Sequence, residues 1–199
     1  MRHLAGIVDR VPRALLFGLA GLIQVALIAA IVVDRVRILR EGTEVKLQTR
    51  PVDPRDFLRG DYVVLTYDIS SVPAGPLKGV PSSGTATPVF VTLAPKADGF
   101  YEALSVHQDA VPVTGNEVLI RGRVTGGASC GDRHRSFCER LTISYGIERY
   151  FVPEGEGRGI ESSRNQGKVA IVAAVTATGR AAIKRLLIDG QPVYDEPSF

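Results

Sequence analysis

The feature that most constrains this chain is an uninterrupted apolar segment near its N-terminus. Residues 14–33 read ALLFGLAGLIQVALIAAIVV and contain no charged side chain. Twenty residues in a helix span about 30 Å, which is the hydrocarbon thickness of a bilayer. Twelve of the twenty are Leu, Ile, Val or Phe, so favourable insertion outweighs the one polar residue, Gln24. We therefore predict a single transmembrane helix.

The flanks of this segment favour an uncleaved anchor over a cleaved signal peptide. A signal peptide has an apolar core of about 7–15 residues followed by a small-residue cleavage site, whereas here the apolar residues continue past Ala29 and Ala30. We predict a short tail at 1–13, the helix at 14–33, a juxtamembrane linker at 34–42 and one domain at 43–199. Basic residues lie on both sides of the helix, so charge alone does not fix its orientation.

The composition beyond the anchor is typical of an antiparallel β-protein. Gly and Pro are frequent, Trp is absent, and short runs rich in Val, Thr and Tyr are separated by turn residues. The predicted fold class is mainly β: one N-terminal transmembrane helix, then a single antiparallel barrel- or sandwich-like domain with one short helix. The strands are predicted at 44–49, 62–69, 88–93, 101–106, 117–125, 141–145, 149–152, 168–177, 181–188 and around Val193 and Tyr194, and the helix around 159–165.

The clearest strand is the one at 62–69. Alternation places Val63, Leu65, Tyr67 and Ile69 on one face, which we expect to be the core. The opposite face begins with Tyr62 and is mixed in character. It is therefore expected to face water or line a groove.

The only two cysteines, Cys130 and Cys138, flank a short polar loop between two predicted strands. A disulfide would close a nine-residue loop and stabilise the fold by about 2.5 kcal/mol on chain-entropy grounds. Its formation fits an oxidising compartment, which favours a domain outside the cytoplasm. Two free thiols, or a metal held with His134 in a C-x3-H-x3-C pattern, are the alternatives. A structural zinc site needs four ligands, so we expect no metal.

Several function classes find no support in the sequence. The net charge is only +3, and the basic residues are scattered apart from a membrane-flanking group at Arg35, Arg37 and Arg40. A nucleic-acid interface needs a basic stripe with interleaved aromatic residues, so we expect no nucleic-acid partner. The P-loop, the dinucleotide fingerprint and the nucleophile elbow are also missing. We therefore expect no cofactor and assign no catalytic residues.

Two segments resemble the signatures of one family. RGDYVVLTYDI at 59–69 and YGIERYFVPEGEG at 145–157 are similar to the two motifs of the GDYXXLXY family. This resemblance implies a bacterial protein anchored in the inner membrane, of unassigned biochemical function, with the bilayer and a polytopic membrane protein as its partners. The residues that it singles out are Arg59, Gly60, Asp61, Tyr62, Leu65, Tyr67, Tyr145, Gly146, Glu148, Tyr150 and Glu154.

Most of these motif positions have a structural explanation. Gly60 permits a turn, Asp61 can bond backbone amides there, and Leu65 and Tyr67 share the predicted buried face. A polar cluster precedes the motif at Asp53, Arg55 and Asp56, together with Arg59, and residues of this kind near a turn usually form local salt bridges.

A weaker resemblance is to the β fold of type I signal peptidases. The Gly-Asp turn, Lys184 and the DGQPV segment at 189–193 are similar to parts of that fold. The stretch RPVDPRDFLRGD at 50–61, however, contains no serine, so Ser–Lys catalysis lacks its nucleophile. The resemblance implies at most a related fold without that activity.

Two hypotheses for function remain. A non-catalytic interaction or accessory module for a membrane or envelope partner predicts an exposed apolar or aromatic patch around Tyr62. A hydrolase of envelope material predicts instead that carboxylates converge in a pocket. Its candidate acids and bases are Asp56, Asp61, Glu148 and Glu154.

Overall fold

The computed structural model describes residues 12–51, 62–73, 87–130, 138–152 and 157–195. These residues form two α-helices and twelve β-strands, which confirms a mainly β chain with an N-terminal helix. Helix α1 covers Arg13–Glu41 and helix α2 covers Gly157–Asn165. The strands are β1 Thr43–Arg50, β2 Tyr62–Val64, β3 Thr66–Tyr67, β4 Ser71–Pro73, β5 Thr87–Pro95, β6 Tyr101–His107, β7 Val118–Cys130, β8 Cys138–Ser144, β9 Arg149–Phe151, β10 Val169–Val175, β11 Ala181–Ile188 and β12 Gln191–Asp195.

Helix α1 contains the predicted anchor. From Ala14 onward it is long and apolar enough to cross a membrane, and no residue of its most apolar stretch is buried. Large apolar side chains such as Phe17, Leu22 and Ile31 are more than half exposed. A long helix that is apolar all round and exposed suits a lipid environment rather than water. Length and composition therefore identify α1 as a candidate membrane span.

The folded domain begins at Ile38, within the last turn of α1. Ile38 and Leu39 are buried in a small apolar cluster with Ala174 of β10 and Ala182 of β11. These two residues belong to the predicted linker at 34–42, where charged residues flank them. Their contacts place them in the packed part of the domain.

Antiparallel sheets form a sandwich-like domain. The first sheet has the strand order β12-β11-β10-β1-β3, and the second has the order β4-β8-β7-β5-β6. Strands β2 and β9 form a separate two-stranded sheet. Strands that follow one another in sequence pair antiparallel, β5 with β6, β7 with β8 and β10 with β11.

The main core lies between the inward faces of these sheets. Alternate positions of β1, β5 and β10 point into it, in agreement with the period of two along a strand. Its fully buried members include Val45, Leu47, Val63, Leu65, Tyr67, Val89, Val91, Leu93, Ile120, Ile171, Ala173 and Leu186. Strand β10 reads VAIVAAV and is buried at every position, because its second face is also covered.

The predicted strand at 62–69 is divided between two sheets. Strand β2 pairs with β9, whereas β3 pairs with β1, and a 3-10 helix at Asp68–Ser70 follows. Between them, the Leu65 amide leaves the ladder and donates to the Glu148 carbonyl oxygen at 2.7 Å. The prediction of one continuous strand was therefore wrong, although the predicted buried face is confirmed, with all four of its side chains at most 2% exposed.

The turn between β10 and β11 joins the first sheet to the second. The Arg121 amide of β7 donates to the Gly179 carbonyl oxygen at 2.8 Å. Gly179 has φ +81°, and a Cβ at this position would lie 2.9 Å from the Arg121 nitrogen. Only glycine combines this backbone conformation with so close an approach.

We expect Gly179→Ala to destabilise the domain more than Gly99→Ala. Gly99 has nearly the same φ, +80°, but open space around it. Its substitution should cost only the left-handed conformation, about 1–2 kcal/mol. Overpacking against β7 should add about 1–3 kcal/mol for Gly179. Denaturant unfolding of the detergent-solubilised chain measures both losses, and equal losses would contradict the contact between the sheets.

Candidate functional site

The two motif segments predicted from the sequence lie side by side. Strand β2 of the first motif pairs with β9 of the second, in the register Tyr62 opposite Phe151 and Val63 opposite Tyr150. Tyr150 is buried, and Tyr62 is partly exposed. The structure therefore brings Tyr62 and Tyr150 of the predicted site onto neighbouring strands.

Two buried tyrosines connect the segments reciprocally. The Tyr67 hydroxyl donates to the carbonyl oxygen of Ile147, and the Tyr145 hydroxyl donates to the carbonyl oxygen of Ile69 at 2.6 Å. We call these four residues the tyrosine bridge. Each bond satisfies a hydroxyl and a carbonyl group that are buried in the core. If either group were left without a partner, the fold would lose about 1–3 kcal/mol of stability.

Glu148 closes the turn that begins the second motif. One carboxylate oxygen accepts the Tyr145 amide, and the other accepts the Gly146 amide at 2.9 Å. Gly146 has φ +80°, which a residue with a Cβ adopts only with strain. Because both carboxylate oxygens hold backbone amides, the observed contacts of Glu148 are structural.

The environment of the tyrosine bridge keeps its hydroxyls protonated. Burial raises the pKa of Tyr67 well above its ordinary value, and the negative charge of Glu148 raises it further. The same two causes, again with burial the larger, raise the pKa of Tyr145. Both side chains therefore remain hydrogen-bond donors throughout the neutral range.

Arg164 on α2 is not among the site residues predicted from the sequence. Its side chain is buried, one guanidinium nitrogen donates to the Val64 carbonyl oxygen, and two others contact the Asn165 side-chain oxygen. Burial lowers its pKa, against the opposing effect of Glu161. Arg164 thus fixes α2 to the edge of β2. Its spacing from the motif, 100 residues in sequence, gives no signal of this contact.

The outward face of β2 and β9 carries an exposed cluster of side chains. Phe151 is 72% exposed and Val64 is 42% exposed. The rings of Tyr62 and Phe151 lie 6.0 Å apart, and the Arg149 guanidinium lies 5.7 Å from the centre of the Tyr62 ring. We call Tyr62, Val64, Arg149 and Phe151 the aromatic patch. It lies where the interaction hypothesis expects one.

Part of the predicted site lies outside the described residues. This applies to the motif residues Arg59, Gly60, Asp61 and Glu154, to the polar cluster Asp53, Arg55 and Asp56, and to His134. The convergence of carboxylates needed by a hydrolase therefore remains a prediction. Within the described ranges, no group of three or more His, Cys, Asp or Glu side chains is arranged to hold a metal ion.

Lys184, which resembles the signal peptidase lysine, binds a carboxylate. Its ammonium nitrogen lies 2.8 Å from Glu44, and Arg185 contacts the other oxygen of the same carboxylate. The hydrogen bond from Lys184 is the main cause that lowers the pKa of Glu44. The contacts of Lys184 therefore join β11 to β1, and within the part of the chain that the structure describes they include no hydroxyl nucleophile.

We expect Tyr145→Phe to destabilise the fold at neutral pH by about 1–3 kcal/mol, because the Ile69 carbonyl loses its buried partner. The folded state keeps the tyrosine protonated, whereas the unfolded state ionises near pH 10. The contribution of Tyr145 to stability is therefore complete below pH 10 and is lost above it, at about 1.4 kcal/mol per pH unit. The variant should consequently show a shallower alkaline loss than the wild type.

Denaturant unfolding at a series of pH values measures this difference. Tyr62→Phe is the matched control, because it removes a hydroxyl from a partly exposed ring and should change the free energy of unfolding by less than about 0.5 kcal/mol. Parallel curves for Tyr145→Phe and the wild type above pH 10 would exclude the buried, protonated state.

The sequence comparison agrees with this arrangement. Residues 24–186, which include both motif segments, match the family model described as GDYXXLXY protein. No curated protein and no solved structure matches the chain. The match extends from within the apolar helix to β11 and covers most of the chain, and the chain therefore belongs to the GDYXXLXY family.

Proposed function

We propose that this protein is a single-pass, membrane-anchored module whose domain lies outside the cytoplasm and binds a protein partner in the bacterial inner membrane or envelope without catalysis. The observation that carries the proposal is the aromatic patch, in which Phe151 and Val64 are exposed on a pair of antiparallel strands. Tyr, Phe and Arg are enriched in the centres of protein interfaces.

The backbone beneath the patch supports a binding role. The Val64 carbonyl oxygen accepts a hydrogen bond from the Arg164 guanidinium, and the adjacent Leu65 amide donates to the Glu148 carbonyl oxygen. The tyrosine bridge holds the segments that continue from both strands. A surface fixed in this way loses little conformational entropy when a partner binds. The patch is therefore preorganised.

An anchor in the same membrane makes a modest patch sufficient for binding. When both partners are held in one bilayer, the effective concentration of one near the other is high, and a weak contact becomes well populated. A polytopic membrane protein is the partner class that we propose. Phe151 is expected to make the central contact with the partner, since it has the most exposed aromatic ring of the patch.

The alternative functions have less support. Of the four carboxylates that a hydrolase could use, Glu148 is the one among the described residues, and its two oxygens accept backbone amides. An inactive relative of signal peptidase would explain a β fold and Lys184, yet Lys184 is paired with Glu44. Neither alternative accounts for the exposed aromatic side chains.

A photo-reactive amino acid at position 151 tests the proposed function. In native membranes we expect it to cross-link to one abundant membrane protein. Leu104 on β6 is the matched control, because it is also an exposed apolar side chain, at 53%, but lies outside the patch. Cross-linking that is absent from position 151, or identical at both positions, would contradict the proposal.

The same interface should respond to mutation without loss of the fold. Phe151→Ala removes an exposed ring, so the free energy of unfolding should change by less than about 0.5 kcal/mol. The cross-linked partner should nevertheless be lost when a second reporter position, Val64, carries the photo-reactive group. Retention of the cross-link in this variant would exclude Phe151 as the central contact.

We also expect Cys130 and Cys138 to form a disulfide in the cell. The register pairs them directly across β7 and β8, and the Cα separations of such pairs, about 4.5–5.5 Å, suit a disulfide. An oxidising compartment outside the cytoplasm permits the bond. Both thiols should therefore resist alkylation until a reductant is added.

A phosphatase reporter fused after Phe199 provides the independent measurement of topology. It should be active if the domain lies outside the cytoplasm. A folded but inactive fusion, together with thiols that react without reductant, would reverse the proposed orientation.

A further inference from the structure

We propose that a cleft between β1 and the β5–β6 hairpin is a second binding site, which takes a short peptide with a free ammonium and a free carboxylate group. We call it the charged cleft. Its volume is about 330 Å³, and its walls include Arg50, Asp68, Lys96, Asp98 and Glu102. This volume is at the lower end of the range for ligand pockets and suits a molecule of dipeptide size.

The wall contributed by β1 follows from strand alternation. Val45 and Leu47 point into the core, so Lys46, Gln48 and Arg50 point to the opposite face. Gln48 donates its side-chain amide to the carbonyl oxygens of residues 167 and 169, each at 3.0 Å. The base of the cleft is thus held in place by the first sheet.

The β5–β6 hairpin forms the facing wall. Phe100 packs against the apolar cluster of Ala170, Val172 and Leu187, and the Lys46 ammonium lies 4.4 Å from the centre of its ring. The Asp98 carboxylate accepts the Phe100 amide at 3.0 Å. These contacts hold the hairpin beside β1 and keep the cleft open between them.

Lys96 and Asp98 pair with each other at 3.2 Å, whereas two other charged groups of the cleft retain capacity for a ligand. The Arg50 Nε atom lies 2.6 Å from Asp68. Among the described residues this is its one ion pair, and it leaves the terminal guanidinium nitrogens able to bind a carboxylate in the bidentate manner. Glu102 is exposed and forms no ion pair with the described residues. One group in the cleft can therefore receive an anion, and another can receive a cation.

The balance of charges selects the class of ligand. Two cationic side chains, Arg50 and Lys96, and three anionic ones, Asp68, Asp98 and Glu102, line the cleft. A purely anionic or a purely cationic ligand would meet like charges on one wall. A molecule with both charges pairs its carboxylate with Arg50 and its ammonium with Glu102. Tyr101, also in the wall, offers an aromatic surface to the apolar part of the ligand.

This site is separate from the aromatic patch, with which it shares no residue. The failure of either proposal therefore leaves the other unaffected. The experiment titrates alanyl-alanine, and its N-acetylated and C-amidated forms, into the detergent-solubilised full-length protein by calorimetry. The free dipeptide should bind saturably, and blocking either end should weaken binding about tenfold, the value of one charge-assisted contact.

Two variants test which side chain binds each end of the dipeptide. Glu102→Gln should weaken the free dipeptide about tenfold but leave the N-acetylated form unchanged, because that form has no ammonium. Arg50→Gln should weaken the free dipeptide and leave the C-amidated form unchanged. Arg123→Gln removes an exposed cation of β7 outside the cleft and should bind like the wild type.

Unfolding midpoints establish that each variant is folded. Glu102 has no partner among the described residues to lose, so its variant decides the test even where Arg50→Gln perturbs stability. A free dipeptide that does not bind, or that binds equally to the wild type and Glu102→Gln, would overturn the proposal. Equal affinity for the free and blocked peptides would do the same.

Discussion

The tyrosine bridge is the contact on which the arrangement of both motif segments depends. Its two hydrogen bonds join residues 80 and 76 positions apart in sequence, and closing loops of that length costs conformational entropy. The bonds are buried and reciprocal, so the loss of either leaves an unpaired carbonyl in the core. Together with the Leu65–Glu148 backbone bond, they hold the segment 62–67 so that β2 pairs with β9 in one sheet and β3 pairs with β1 in another.

This arrangement explains which aspects of the fold are predictable from sequence. Alternation correctly predicted the buried face with Val63, Leu65 and Tyr67, because burial of a strand face depends only on local order. The break at Leu65 depends on Glu148, which lies far away in sequence. The burial of Ile38 and Phe100 similarly depends on partners in β10 and β11. Non-local contacts of this kind leave no periodic signal.

The same distinction applies to the candidate site. The sequence motifs drew attention to the segments near residues 62 and 145, but gave no indication that Tyr67 and Tyr145 each form a hydrogen bond with the opposite segment. Arg164 gave no signal at all, since its partner is a backbone carbonyl and any residue supplies one. In contrast, an exposed face could be expected from the position of Tyr62, because the adjacent Val63 belongs to the buried face.

Most of the described motif residues have a structural role in the fold, but Tyr62 does not. Leu65 fills the core, Tyr67 and Tyr145 form the bridge, and Glu148 closes a turn. Tyr62 contacts only the other members of the aromatic patch in the ring and cation contacts observed. Burying a phenylalanine ring such as that of Phe151 is worth about 1.5–3 kcal/mol, which the isolated domain does not gain. A partner that covers the patch would recover this free energy, and it would give Tyr62 a role that the fold does not provide.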